Sequence, residues 1–132
     1  MNLKDIRWKQ RFQNYERAVQ LLEKTAQIKN PSELERIAIV QMFEMSFELA
    51  WKTLKDYLED KGEIINSPRD VLKQAFQENI IKDGRVWMKA LTDSNLASHL
   101  YDKEKANALN KAIHEDHLPQ FLALYEHLKK EL

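Results

Sequence analysis

IAIVQMFEMSFELAWKTLKDYL, Ile37 to Leu58, contains neither glycine nor proline and repeats apolar residues every three or four positions. At about 100° per residue, Val40, Phe43, Phe47, Ala50, Trp51, Leu54 and Leu58 fall in one stripe roughly 120° wide, the pattern of a core-facing helix. A second, narrower stripe of Ala38, Met42, Met45 and Leu49 lies nearly opposite. A helix on the rim of a small bundle has little use for two apolar faces. The spacing therefore predicts a central helix, with one face on its own bundle and the other on a neighbouring helix or a second copy of the chain. Glu44 and Glu48, one turn apart between the stripes, read as a solvated flank.

Upstream, Ser32 is an N-cap with Glu35 three residues later, a capping box, so the central helix is predicted from Glu33 to about Asp60. Gly62 supplies the left-handed residue that ends it. Before the break at Lys29-Asn30-Pro31, the 4-3-4-3-4 spacing of Trp8, Phe12, Tyr15, Val19, Leu22 and Ala26 predicts a helix from about Asp5 to Gln27. Downstream, Ser67-Pro68-Arg69-Asp70 starts a short helix carrying Val71, Leu72, Ala75, Phe76 and Ile80. Asp83-Gly84 opens the next, Arg85 to about Leu91, with Trp87 on its apolar face and the polar run Thr92–Asn95 after it.

The last segment, about Lys103 to Lys129, places Ala106, Leu109, Ile113, Phe121, Leu124 and Leu128 on one face. Pro119 inside it removes a backbone donor and predicts a kink near His117-Leu118. No alternating strand pattern occurs. The expectation is one all-α domain over residues 1–132, an up-and-down bundle of four or five helices.

Lys+Arg and Asp+Glu are both 21, so the formal net charge is zero. Binding to long nucleic acids comes mostly from neutralised phosphates, so a neutral chain is a poor stand-alone binder of them. There is no cysteine, hence no disulfide or thiolate zinc site. No apolar run approaches membrane-spanning length and the first residues lack a signal-peptide core, which makes the cytoplasm the expected location. His114 and His117 sit three apart beside Glu115 and Asp116, but two histidines and an acid without a third ligand specify no metal. Neither a metal nor a cofactor is expected. Trp51 and Trp87 have the shape to flank a base, although core packing is the simpler role.

The polar stretch richest in chemistry is LTDSNLASHLYD, Leu91 to Asp102, which gathers Asp93, Ser94, Asn95, Ser98, His99 and Tyr101. If it is helical, Asn95 and His99 share a face one turn apart. An imidazole beside an amide and a phenol can do acid–base work or hold a phosphate; the same residues also suit a polar junction between helices.

Together with FELAWKTLKDYLEDKG at Phe47–Gly62, SPRD at Ser67–Asp70 and Trp87, this stretch resembles the nucleotidyltransferase substrate-binding family of the HEPN superfamily, from about Phe12 to Leu128. The resemblance implies a homodimeric helical bundle and a separately encoded minimal nucleotidyltransferase as partner, with catalytic carboxylates of its own. Many such pairs are toxin–antitoxin modules. In those, the helical subunit is a metal-independent RNase that the nucleotidyltransferase neutralises, in some cases by adding AMP to a tyrosine. The superfamily's active motif runs Arg, a polar residue, His, then Tyr two residues on. Here the polar residue falls at Asn95, the His at His99 and the Tyr at Tyr101, while Ser94 occupies the Arg position.

That departure removes the charge that would balance a scissile phosphate. Charge-assisted bonds to phosphate are about twice as strong as neutral ones, and losing one transition-state donor costs about 10²–10³ in rate. The first reading is therefore a non-catalytic binding subunit. In it Ser94, Asn95, His99, Tyr101 and Trp87 hold a nucleotide or RNA, Tyr101 is the modification site, and Met42, Met45 and Leu49 form the dimer or partner face. The second is an RNase using His99 and Asn95 as catalytic residues, with Arg85 or Lys89 as a substitute cation. A third is a passive dimerisation scaffold.

Overall fold

The computed structural model describes residues 2–132, at Ala97 the backbone alone, and among them no strand forms. Five of the helices start where a side-chain oxygen takes up an orphaned backbone N–H. Asn2 caps α1 (Leu3–Ala26), and Ser32 with Glu35 closes both halves of the capping box on α2 (Glu33–Asp60). Ser67 caps α3 (Pro68–Gln77) and Asp83 caps α4 (Gly84–Ser94). Asp102 caps α5 (Lys103–Ala112), which continues through a π-turn, Ile113–His117, into α6 (Leu118–Lys129). The result is five helical rods, the last one composite. Gly62 sits at φ +94, the left-handed geometry anticipated for the end of α2.

The expected kink takes the form of that π-turn. Pro119 has no N–H to return to the preceding turn. The chain widens by one residue, and the Leu118 N–H bonds the Ile113 carbonyl, five residues back.

Contacts between the rods fix their directions. Asn2 bonds Asp60, Arg11 pairs with Asp56 at 2.7 Å, and Trp8 lies edge-on to Tyr57, so α1 and α2 are antiparallel. His114 reaches the Ala26 carbonyl, Tyr15 the Phe121 carbonyl, and Phe12 stacks on Tyr125, so the last rod is antiparallel to α1 as well. Between them an aromatic core forms. Phe121 lies 5.8 Å from Phe43 and 5.1 Å from Trp87, and Trp87 in turn packs on Phe47.

The α2 stripes come out as two different environments. Val40, Phe43, Phe47, Ala50, Leu54 and Leu58 are buried, joined by Ile39, Ser46 and Thr53, so the core-facing band is wider than the periodicity suggested. Trp51 is half-buried: it packs against the edge of the core and donates to Glu48 Oε2 at 3.1 Å across the helix flank. In the opposite stripe Ala38 and Met45 are exposed and Met42 and Leu49 half-buried. Phe76, placed by its spacing on the core side of α3, is 49% exposed.

Because Phe121 joins three helices, Phe121→Ala is expected to cost about 3–5 kcal/mol. Tyr15→Phe, which removes only the buried 2.6 Å bond to the Phe121 carbonyl, is expected to cost about 1 kcal/mol. Urea unfolding of the two variants beside the parent chain checks both the size and the order.

Candidate functional site

The polar run from Leu91 to Asp102 divides at Ser94. The α-helix α4 carries on past the predicted end at Leu91 to Ser94, and Asn95–His99 then winds as a 3₁₀-helix. A 3₁₀-helix has three residues per turn, so residues three apart eclipse and residues four apart diverge by about 120°. Asn95 and His99 therefore do not share a face, as α-helical spacing had implied. Asn95 aligns with Ser98 instead, and both line a shallow groove with Ser94 and, across on α2, Gln41 and Glu44. A second groove runs on from it along Gln41, Glu44, Met45 and Glu48. Glu44, a solvated flank by its spacing, is common to both. Nothing in the sequence of α2 marked it as opposite the polar run, because that juxtaposition needs the packing of α2 on α4.

His99 turns to its neighbour in sequence. Its Nδ1 stands 3.4 Å from the Tyr101 hydroxyl, with the rings edge-on at 6.0 Å between centroids. Tyr101 is 82% exposed and His99 half-buried. An imidazole nitrogen at that distance can tighten onto the phenol and take its proton. Ser94 is committed elsewhere: its Oγ donates to the Leu91 carbonyl at 2.7 Å. Its one donor is spent inside the helix.

Asp93 points the other way, into the core. Its Oδ2 accepts from His117 Nε2 at 2.7 Å and from Lys89 Nζ at 3.0 Å. His117 has no exposed surface and stacks on Phe43 at 5.0 Å. Burial pushes the Asp93 carboxyl up, but the bonds from His117 and Lys89 outweigh it and hold the group below the ordinary carboxylate range. His117 is thus the hydrogen-bonded junction residue that its place beside the kink suggested. His114 is directed to the carbonyls of Asn110 and Ala26, not towards His117.

Two sequence-based assignments change. Trp87, expected among the nucleotide-binding residues, is 1% exposed, enclosed by Phe47 and Phe121, and has no face to offer a base. The substitute cations also lie elsewhere: Lys89 is on Asp93, and Arg85 lines a separate groove with Leu72 and Phe76. The site that forms has three parts, namely the Ser94–Asn95–Ser98 groove facing α2, the exposed Met45 edge beside it, and the His99–Tyr101 pair.

A family model described as nucleotidyltransferase substrate binding protein like matches residues 10–130. A crystal structure from Thermus thermophilus has a TM-score of 0.75 at 31% identity, covering 89% of this chain and 97% of that one. A structure from Haemophilus influenzae, described as revealing the fold of a substrate binding domain of a nucleotidyltransferase, has a TM-score of 0.81 at 28% identity, covering 89% and 98%. A Haemophilus influenzae protein named probable ribonuclease HepT is 32% identical over 98 residues, 69% of this chain. The match spans 65% of that relative's length.

A carboxyl whose folded pKa is depressed adds stability above its unfolded value, and that stability is lost as pH falls through the folded value. The Asp93 contribution is therefore expected to be present above about pH 4 and to disappear below it. Asp93→Ala, which leaves buried His117 unpaired, is expected to cost about 1–3 kcal/mol at neutral pH and less in acid. Unfolding midpoints from pH 7 down to about pH 3 for both chains check this.

Proposed function

The chain belongs to the nucleotidyltransferase substrate binding protein like family, and from that membership we propose that it is the non-catalytic binding subunit of a two-component module. It forms a homodimer and engages a separately encoded minimal nucleotidyltransferase, in an arrangement of the toxin–antitoxin type. The observation that carries this reading is Ser94. It stands where the superfamily motif has its cation, and its hydroxyl is already bonded to Leu91 within the helix. A phosphate beside Asn95 and His99 would meet no charge from this position, and charge-assisted donors are the strong ones for phosphate.

The Met42, Met45 and Leu49 stripe supports the dimer. It is an apolar strip on a long helix with Met45 47% exposed, and it adjoins the groove that leads to Asn95 and Ser98. A second copy seated there would roof the groove and enclose a nucleotide against Ser94, Asn95 and Ser98. Tyr101 is the group presented to the nucleotidyltransferase. Its Oη attacks the α-phosphorus of ATP held by the partner, and pyrophosphate leaves. The phenolic proton passes to His99 Nδ1, which already faces the hydroxyl. The product is AMP joined to Tyr101 through a phosphodiester.

One comparison favours a second reading, since a relative bears the name of a probable ribonuclease. Here that activity would rest on Asn95 and His99 with a cation supplied by neither Arg85 nor Lys89.

Co-expression with the neighbouring nucleotidyltransferase is expected to give a complex that survives size exclusion, and ATP is expected to add one AMP to the intact mass. Tyr101→Phe is expected to abolish the added mass and His99→Ala to slow it. Met45→Asp is expected to convert the homodimer to monomer. Clean separation of the two co-expressed proteins defeats the proposal. RNA cleavage by the pure chain, lost in His99→Ala, establishes the ribonuclease reading instead. Should cleavage arise only on Ser94→Arg, it would show that the missing cation is what silences the site.

A further inference from the structure

A separate groove lies between α3 and α4 and shares no residue with the α2 stripe or the polar run. Its floor is Leu72, its walls Phe76 and Met88, and its rim Lys73, Lys82 and Arg85. Phe76 is 49% exposed, an unusual position for an aromatic on a helix whose other apolar residues are buried. Gly84 explains how the ring is held. A Cβ there would come within 3.1 Å of the Phe76 ring, so glycine lets the ring lie down on the first turn of α4. One ring face is packed and the other is presented.

The rim carries three cations against one acid. Lys73, Lys82 and Arg85 are exposed and form no ion pair among the described residues. The one acid in the groove, Asp83, has its carboxylate on the Val86 N–H as the cap of α4. In a chain with zero net charge this is a local concentration of positive potential around an apolar slot.

Three occupants are conceivable, and the chemistry separates them. A second copy would have to meet this patch with the same patch across a two-fold axis, setting like charges together. An RNA strand could stack a base on Phe76, but it would gain at most about three phosphate contacts from a chain of zero net charge, a weak hold at physiological salt. A protein segment with an apolar side chain flanked by acidic residues satisfies both features. It fills the slot against Phe76 and Met88 while its carboxylates meet the three cations. Methionine beside a preset aromatic is a surface that adapts to such an anchor at low ordering cost.

We propose that the α3–α4 groove is the docking site for an acidic, apolar-anchored segment of the nucleotidyltransferase. The inference rests on the partnership argued above and assigns it a place on the chain. Docking here leaves the α2 stripe for the second copy of the chain and the His99–Tyr101 turn for chemistry.

The test measures affinity between the separately purified chain and nucleotidyltransferase at low and high salt. Phe76→Ala is expected to weaken the complex at least about tenfold at both salts. The double change Lys82→Glu, Arg85→Glu is expected to weaken it by about tenfold or more at low salt and by less at high salt. Gly84→Ala keeps every charge and the helix but displaces the Phe76 ring, and is expected to weaken binding by an intermediate factor. Circular dichroism of all three is expected to match the parent, because the altered side chains are exposed or at a helix start. A wild-type complex that all three variants leave within about twofold overturns the groove and spares the partnership. Failure of the wild-type chain to bind the nucleotidyltransferase overturns both. Labelled RNA that binds the parent and not the charge-reversed variant, with the protein complex intact, also overturns the assignment.

Discussion

The hydrogen bond between His117 Nε2 and Asp93 Oδ2, 2.7 Å long and sealed in the core, is the contact on which the site's geometry depends. A buried carboxylate is tolerated only where it is paired, and His117 supplies the donor through Nε2 while its Nδ1 stays without a partner. The pairing joins the end of α4 to the π-turn before α6 and holds His117 flat against Phe43. With Asp93 committed inward, its successors Ser94 and Asn95 are carried round to face α2. The Pro119 π-turn acts in the same direction. The residue it adds places His117 at the level of Asp93 while Phe121 still enters the aromatic core.

The change from α- to 3₁₀-winding at Asn95 then sorts the polar side chains. Asn95 and Ser98 align towards Gln41 and Glu44, and His99 is released to pair with Tyr101 at the turn into α5. One short stretch thereby produces two surfaces with different uses. The groove lies beside an apolar edge and is suited to enclosure by another subunit. The exposed phenol beside an imidazole is suited to presentation to an enzyme. Ser94 sits where they meet and is bonded back to Leu91, so neither surface receives a cation from it. On the proposed reading that absence of charge favours binding over phosphodiester cleavage, because a pentacoordinate phosphate needs donors whose charge grows in value as its own develops.

Membership of the family accounts for the scaffold. Relatives of similar fold align over nearly their whole length, at TM-scores of 0.75 and 0.81, so the bundle and its long central helix are shared. A fold of this kind does not by itself fix an activity, so function is argued from the side chains at the α4–α5 junction rather than from the bundle. No described helix is long and apolar enough to cross a membrane.

Helix limits were legible because their causes are local. Ser32 with Glu35, Ser67 with Pro68 and the glycine at position 62 act within one turn, and α2 runs from Glu33 to Asp60 as those signals require. The break at Pro119 and the cluster of polar residues near His99 could be read for the same reason. The form of winding over Asn95–His99 could not, since α- and 3₁₀-turns differ little in local preference and the choice follows from Asp93 being drawn onto His117, 24 residues away. Nor could the fate of Trp87 and Phe76. Both lie on an apolar face by spacing, and only the packing of α2 and α6 over one, and of Gly84 under the other, buries the first and leaves the second exposed. The amino-acid sequence by itself determined the all-helical architecture and the helix ends, consequences of residues within a turn of one another. The tertiary structure alone decided which polar groups face which partner, because long-range burial, not local spacing, determines where a side chain can satisfy its hydrogen bonds.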